Sequence, residues 1–577
     1  MSKKQFNSRA PLTITFDQFH GISTPTPNAN HSPQKIINFR IGEDGSLQKR
    51  FGARTLFALP DKIRSHWSGY LNGSFQVYLL AGNTLYLAHL KEKRYESIGT
   101  VSNSDGPATF FCHQATLYLN DGENIYCVQE KELREALGYV PLYGKDWDND
   151  NMGEVNEDFN ILNPHVRITY RVSDPASIFL RVPKTIRSVE AIYRNGVRLT
   201  PDQFRHNTEF NTVDIPGLEG YDYVEAYLTF EQDTSAIRQL FCSIRGSVFF
   251  GSAEKSRTFF FGSSDSDTIF CTEHVTPGDL DHACRIYSSD PLYLPEGYEF
   301  RIGEQRHPIH GALRHKDNLL IFTEGDTWLG SVDSTGQTAL PSVLINSELG
   351  CLSSDGYVLA QNDPITIGRH GLYRWESKDP DITQRDAIRI SEAIDSLLTP
   401  DILKTATLFY DPMRDELWLN LPARSEIWIC AMKRNEWFCF TGISANRFFD
   451  ADGQVGFFSG NEVSVFEPTL SFDVELSGFC NVISAVYQTP LLNFGTDKKK
   501  NLYRLTFDAE DDGALFFFRF HYGAEYPAYK SLYDRKHHEH STLTTHLRTG
   551  RFQNGSLEIS TKDFSLPVIH SLTLTAH

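Results

Sequence analysis

Residues able to do chemistry are few and scattered. His537, His538 and His540 (KHHEH) form the one histidine cluster. Alternate residues of a strand share a face, so His538 and His540 could hold a metal together. No third or fourth ligand is evident, and a solvated loop or strand edge is the expected reading. Residues 146–154 (DWDNDNMGE) are acidic, but Asn151 stands where an EF-hand loop needs Gly at its sixth position. A solvated linker is expected there. Ser331, Asp333 and Gly336 approach the Ser-x-Asp-x-Gly-x-x-Trp turn of a sialidase, with the Gly one place late and no Trp. Residues 497–500 (DKKK) read as a charged turn, or as a docking contact to an acidic neighbour. Paired carboxylates are plentiful but none stands in a hydrolase context, and no GxSxG, P-loop, GxGxxG or HExxH occurs. No catalytic, cofactor-binding or metal-binding residue is therefore expected, and the chain is not expected to be an enzyme.

The elements that would position any site read as short strands. Residues 408–442 (LFYDPMRDELWLNLPARSEIWICAMKRNEWFCFTG) hold four short apolar runs separated by Asp-Pro, Pro-Ala-Arg-Ser and Lys-Arg-Asn turns. Runs rich in Trp, Ile, Phe and Leu between such turns are strands, and four in succession make a meander. The strand–turn–strand form returns loosely at residues 75–90, 108–128, 244–262, 313–331, 357–375 and 447–466. Many meanders, each burying a face and hiding its edges, point to the blades of a β-propeller. The expected fold is all-β, an irregular propeller of six to eight blades, seven preferred. Trp418, Trp428 and Trp437 are expected as core or inter-blade residues rather than ligand platforms.

Bulk properties narrow the function classes. A chain of 577 residues exceeds one core. Aromatics make up 13%, with 41 Phe and 25 Tyr, which suits β structure. The formal charge of −18 argues against gripping nucleic acid by charge, although it suits a wall past which DNA slides. Nine scattered Cys without a CxxC, among them Cys351 and Cys480 standing alone, read as reduced thiols made in a cytoplasm. The N-terminus has no apolar h-region, and no run approaches the roughly 20 apolar residues of a membrane helix.

Taken in order, residues 1–34 read as a polar, Pro/Asn-rich arm that must dock to be ordered. Residues 35–154 read as the first part of the propeller, with a hairpin around Glu43-Asp44-Gly45 that closes the first blade and a short amphipathic helix at 130–137. Residues 155–235 change texture: evenly spaced strands and an Asn195-Gly196 turn indicate an inserted small β-sandwich. Residues 236–470 resume the propeller, with a short helix N-capped by Ser391. Residues 471–577 read as a C-terminal β-sandwich.

Several phrases, in order, resemble the tail hub or nozzle proteins of short-tailed bacteriophages, the group of tail tubular protein B and the packaged-DNA stabilisation proteins. They are NFRIGEDGSLQKRFGAR (38–54), where Phe51 replaces the usual Pro of "KRPG", then GSVFFGSAEKSRTFFFGSSDSD (246–267), LLIFTEGDTWLGS (319–331), GRHGLYRW (368–375), FYDPMRDELWLNL (409–421) and FGTDKKKNLYRLTFDAE (494–510). The inserted phrase AIYRNGVRLTPDQF (191–204) is similar to small β-domains of phage tail and fibre proteins. The resemblance implies a structural virion protein of the tail, assembled in the host cytoplasm, with no cofactor. It implies a homohexameric ring below the portal and its adaptor ring, retaining packaged DNA and forming the channel for DNA ejection. Its implied partners are other copies of itself, the head-to-tail adaptor proteins, other tail proteins such as fibres or a needle, and genomic DNA passing without sequence-specific binding. The competing class is a propeller of the tail that binds a receptor or carbohydrate.

Overall fold

A computed structural model describes residues 11–24, 32–129, 131–149, 153–172, 179–232, 234–251, 256–264, 266–303, 307–331, 340–376, 386–510, 513–522, 528–533 and 541–577. The cluster at His537, His538 and His540 and residues 332–339 of the sialidase-like turn lie outside them. The chain divides into two compact units: residues 1–63, 89–94 and 355–577, and residues 64–88 with 95–354.

The fold is all-β and of the propeller type, and seven four-stranded blades stand among the described residues. Blade 1 runs from Ile63–Leu71 to Arg94–Thr100, blade 2 from Thr109–His113 to Glu132–Glu135, blade 3 from Gly246–Phe250 to Glu299–Arg301, and blade 4 from Ile309–His315 to Ser342–Asn346. Blade 5 runs from Tyr357–Ala360 to Asp386–Arg389, and blade 6 from Thr407–Asp411 to Glu436–Thr441. Blade 7 takes three strands from residues 447–467 and its outer strand, Gly52–Ala58, from the front of the chain. The strand pairing of blade 6 follows its sequence: tight turns set Leu419 opposite Trp428 and Trp428 opposite Cys439. Its second strand, Glu416–Leu421, is buried at every residue because blade faces pack on both sides. Trp418, Trp428 and Trp437 are all buried, and Trp418 meets Phe448 and Phe466 at 5.3 Å each.

Residues 142–230 form two small sheets around their own core, which includes Tyr143, Trp147, Phe159 and Phe230. Asn195 and Gly196 both take positive φ (48° and 81°) and join Ile186–Arg194 to Val197–Arg198, the hairpin that Asn-Gly encodes. Residues 146–149 are not a bare acidic linker. Trp147 is buried in this core and its indole N–H donates to the Arg181 carbonyl at 2.8 Å. The helix expected at 130–137 is instead the strand Glu132–Glu135, the outer strand of blade 2. The alternation of Glu132, Leu133, Arg134 and Glu135 suits an edge strand as well as a helix face. At 391 the expected short helix is 3₁₀ (Glu392–Leu397). The Ser391 hydroxyl does not cap it: it donates to Asp395 and accepts from the Leu372 amide.

The C-terminal part of the first unit is a pair of packed sheets built with the front of the chain. Leu12–Phe16 pairs with Val568–Ala576, and Leu47–Lys49 takes the far end of that same strand. Lys35–Ile37 lies between the outer strand of blade 6 and Ser484–Gln488, so one sheet of nine strands runs through both. Residues 35–49, expected as a hairpin closing the first blade, instead belong to the C-terminal sheets. Local turn chemistry gives the hairpin but carries no information about its distant partner.

Trp428→Ala removes a buried indole and is expected to cost about 3–5 kcal/mol, read as a lower urea midpoint. An unchanged midpoint would show that the ring contributes no packing. In the second unit, burial holds His113 at about 4, well under the ordinary 6.5. The unfolded chain then binds more protons between those values, so the stabilisation is complete above pH 6.5 and lost as pH falls toward 4. Acidifying from pH 7 to about 4.5 is expected to remove roughly 2–3 kcal/mol through this group. The His113→Gln variant should show a correspondingly flatter pH profile in urea titrations, and equal slopes would refute the assignment.

Candidate functional site

The phrase at residues 38–54 builds the most heavily bonded locus of the first unit. Its hairpin turn is set by Asp44, whose carboxylate accepts from the Ser46 hydroxyl and amide at 2.6 and 3.0 Å, while Gly45 takes φ 83°. Those bonds from Ser46 hold the Asp44 carboxyl below its usual range. The strand then delivers two cations into the interior. Lys49 is fully buried, and its ammonium donates to the carbonyls of Asp563 and Ser565 at 2.7 and 3.0 Å, with the Asp563 carboxylate at 3.5 Å. Burial pushes this amine's pKa down, and Asp563 opposes the shift. Burial would raise the Asp563 carboxyl, but bonds from Ser565, the Leu515 amide and Thr561 outweigh it and hold the group low.

Arg50, 1% exposed, is bonded through all of its nitrogens. It forms a bidentate pair with Asp473 at 2.9 and 2.7 Å and donates to Asn38 Oδ1, the Phe51 carbonyl and the Thr441 carbonyl. Asn38, at φ 53°, also bonds Thr441 and the Ser484 carbonyl, so the Arg50–Asn38 pair ties the hairpin to blade 6 and to the C-terminal sheet. Phe51 stands between two guanidinium groups, Arg40 at 5.6 Å and Arg414 at 5.8 Å from its ring centre. Both face the buried Glu416, whose carboxyl is raised by burial against their opposing charges. The aromatic at this position thus has a specific role between the two cations. At Gly52 a Cβ would lie 1.9 Å from the Phe472 carbonyl oxygen, so no side chain fits.

The described part of the expected N-terminal arm docks on its own chain. Phe19 is buried edge-on against Tyr487 at 5.4 Å. Glu436 accepts from the Gly21 amide and pairs with His20, and Ile22 exchanges two backbone bonds with Trp437. Residues 1–10 and 25–31 lie outside the described residues. The hairpin of Phe472–Val474 and Cys480–Val482 adds to the edge of blade 7 through the strand Gly52–Ala58. Its tip, closed by bonds from the Glu475 amide to the Phe479 carbonyl and from the Gly478 amide to the Glu475 carbonyl, exposes Leu476 and Phe479. Nearby, the half-exposed Phe564 meets Phe472 edge-on at 5.4 Å.

Among the described residues no three His, Cys, Asp or Glu side chains stand together as a metal site. Glu157, the twelfth residue counted from Asp146, is occupied elsewhere: it accepts from Tyr139 and the Leu142 amide. A polar cavity of about 110 Å³ between blades 6 and 7 is lined by Asn420, Ser425, Ser444 and Asn446. It has room for a few waters and falls below the roughly 300 Å³ of small-molecule sites. Of the run at 497–500, Lys498 and Lys499 are exposed. Lys500 is buried, donating to the carbonyls of Thr496 and Gln553 at 2.8 and 2.6 Å. The run of like residues carries no signal for this split, which the isolated bridge of Lys500 to Phe552 decides.

No protein-family model and no curated protein matches the chain. Solved structures similar to it include a streptogramin B lyase (10% identity, TM-score 0.37, covering 72% of this chain and 97% of that one). Others are the CNH domain of AfRom2 (8%, 0.32, 72% and 99%) and Hsv2 of Kluyveromyces lactis (8%, 0.27, 83% and 100%). At these identities and TM-scores the likenesses carry no argument about activity.

Replacing Arg50 by Leu strands the Asp473 carboxylate and the Asn38 and Thr441 acceptors. A loss of about 3–5 kcal/mol is expected in urea titration. Arg50→Lys should recover only part of it, because an ammonium cannot form the bidentate pair. Full recovery by Lys would reduce the locus to a point charge.

Proposed function

We propose that this chain is a structural protein of a short-tailed phage tail, forming a homohexameric ring below the portal and adaptor and serving as the conduit for DNA ejection. The observation that carries the reading is the locus at residues 38–54. One of the phrases whose order resembles the tail hub and nozzle proteins is also one whose residue identities the architecture demands, from the buried Lys49 and Arg50 to the Cβ-free Gly52. A conduit needs docking faces rather than a reaction centre. The exposed Leu476 and Phe479 at the hairpin tip offer apolar contacts of the kind that neighbouring subunits cover. The net charge of −18 suits a lumen that releases phosphates.

Cryo-electron microscopy of virions tests the reading. The expected result is a sixfold ring of this protein beneath the portal. A peripheral position in the tail would overturn it in favour of a receptor- or carbohydrate-binding role, and absence from the particle would remove both.

A further inference from the structure

One outer sheet face of the C-terminal region departs from the acidic balance of the chain. The strands Leu12–Phe16, Val568–Ala576, Leu502–Glu510 and Ser541–Thr545 pair in that order, and their inward residues (Leu572, Leu574, Leu505, Phe507) are buried. The outward positions carry hydroxyls. Thr13 faces Thr575, Thr15 faces Thr573, Thr573 faces Thr506, and Thr506 faces Thr544. Adjacent pairs bond through their side chains, Thr15 with Thr573 at 3.1 Å and Thr506 with Thr544 at 3.2 Å.

At one end this face turns basic. Lys500 and Phe552 exchange two backbone bonds, as do Asn501 and His577, which brings residues 498–503, 548–553 and 577 side by side. Lys498, Lys499, Arg504, Arg548 and Arg551 are all exposed there, and none forms an ion pair among the described residues. Other cations of this unit stand next to carboxylates, among them Arg54 with Glu467 and Arg447 with Asp355. Tyr503, next to Arg504 in sequence, lies flat on His577, ring centres 4.3 Å apart and planes 2° apart. Asp497 is the exposed acid of this end, Leu491 its exposed apolar residue, and Asp508 and Glu510 belong to the opposite end of the strand.

We propose that this face is a sequence-independent binding surface for the phosphate backbone of a nucleic acid. Lys and Arg with Ser, Thr and Tyr hydroxyls are the groups that contact phosphate and sugar. A flat field of hydroxyls ending in unpaired cations and a stacked ring pair offers donors along a strand of phosphates. An acidic protein would match the charge but would leave the hydroxyl field unused. The inference goes beyond the conduit reading and does not need it: that reading stands or falls on position in the particle, this one on binding by the isolated chain.

Fluorescence anisotropy of the full chain with a labelled, mixed-sequence DNA duplex tests the proposal. Binding on the order of 10⁻⁶ M at low salt is expected, weakening with a log–log salt slope of roughly −4, or 0.9 for each of up to five phosphates. Reversing Lys499, Arg548 and Arg551 to Glu should weaken binding by about a hundredfold or more and flatten the slope by about 3. Reversing the exposed Lys62, Lys404 and Arg424 makes the same change in net charge and should leave most of the binding intact. In a second readout that needs no variant, bound DNA should protect Lys498 and Lys499 from acetylation, seen by peptide mass spectrometry. No binding at low salt, equal loss in both variants, unprotected lysines, or binding of polyglutamate in preference to DNA would each overturn the proposal.

Discussion

The first unit hangs on two consecutive cations that the chain takes out of water. A buried guanidinium is costly unless every donor finds an acceptor, and the pairing seldom adds much net stability. What it adds is uniqueness. Arg50 is satisfied only when Asp473, Asn38 and Thr441 converge on it, and Lys49 only when the 563–565 turn does. These partners come from blade 6, from the hairpin beside blade 7 and from the C-terminal sheets. Any slipped register would leave one buried charge unpaired. The carbonyl of Phe472 above Gly52 enforces the same arrangement sterically. This one locus therefore sets the positions of strands more than 400 residues apart in sequence, such as those joined by the contact of Arg50 with Asp473.

The second unit uses the same device with different chemistry. Arg64 donates to the carbonyls of Gly82, Asn103, Asp105 and Gly106, gathering loops of blades 1 and 2 around one guanidinium. Asp290, almost wholly buried, accepts from Tyr118 and from the amides of Gly138 and Leu292. Burial raises its carboxyl, and those three bonds oppose the shift. Meanders are joined by irregular segments whose backbone groups must be satisfied somewhere. A single multivalent side chain can satisfy several such groups at once.

Sequence reading recovered what is local. The Asn195-Gly196 hairpin and the Trp-rich meander of blade 6 follow from turn residues and alternation within a few residues. What it could not recover is long-range pairing. Nothing in Leu12–Phe16 marks Val568–Ala576 as its partner, and nothing in Lys35–Ile37 tells that it lies beside blade 6. Glu132–Glu135 reads as well on a helix as on an edge strand, and only its pairing with Ile125–Gln129 decides. Trp147 was hidden by its acidic neighbours. Its large apolar surface outweighs their preference for water, and the indole finds the Arg181 carbonyl once inside. For the candidate locus, spacing alone read the phrase 38–54 as an ordinary hairpin. Composition cannot show that its lysine and arginine are buried, because such residues are almost always exposed.

The edges of the blades show how far the chain goes to avoid unwanted pairing. An outer strand offers a row of free backbone groups, and charge is a common protection. Blade 2 ends on Glu132, Arg134 and Glu135, and blade 3 on Glu299 and Arg301, all pointing charge at any incoming strand. Blades 6 and 7 follow the other course: their outer strands are covered by Lys35–Ile37 and by the hairpin that begins at Phe472. Covering an edge only moves the problem outward, and the new edge strand, Cys480–Val482, carries no charged residue. Its hairpin instead exposes Leu476 and Phe479 at the tip. A chain that charges some edges and builds over others leaves this apolar tip uncovered by any described residue.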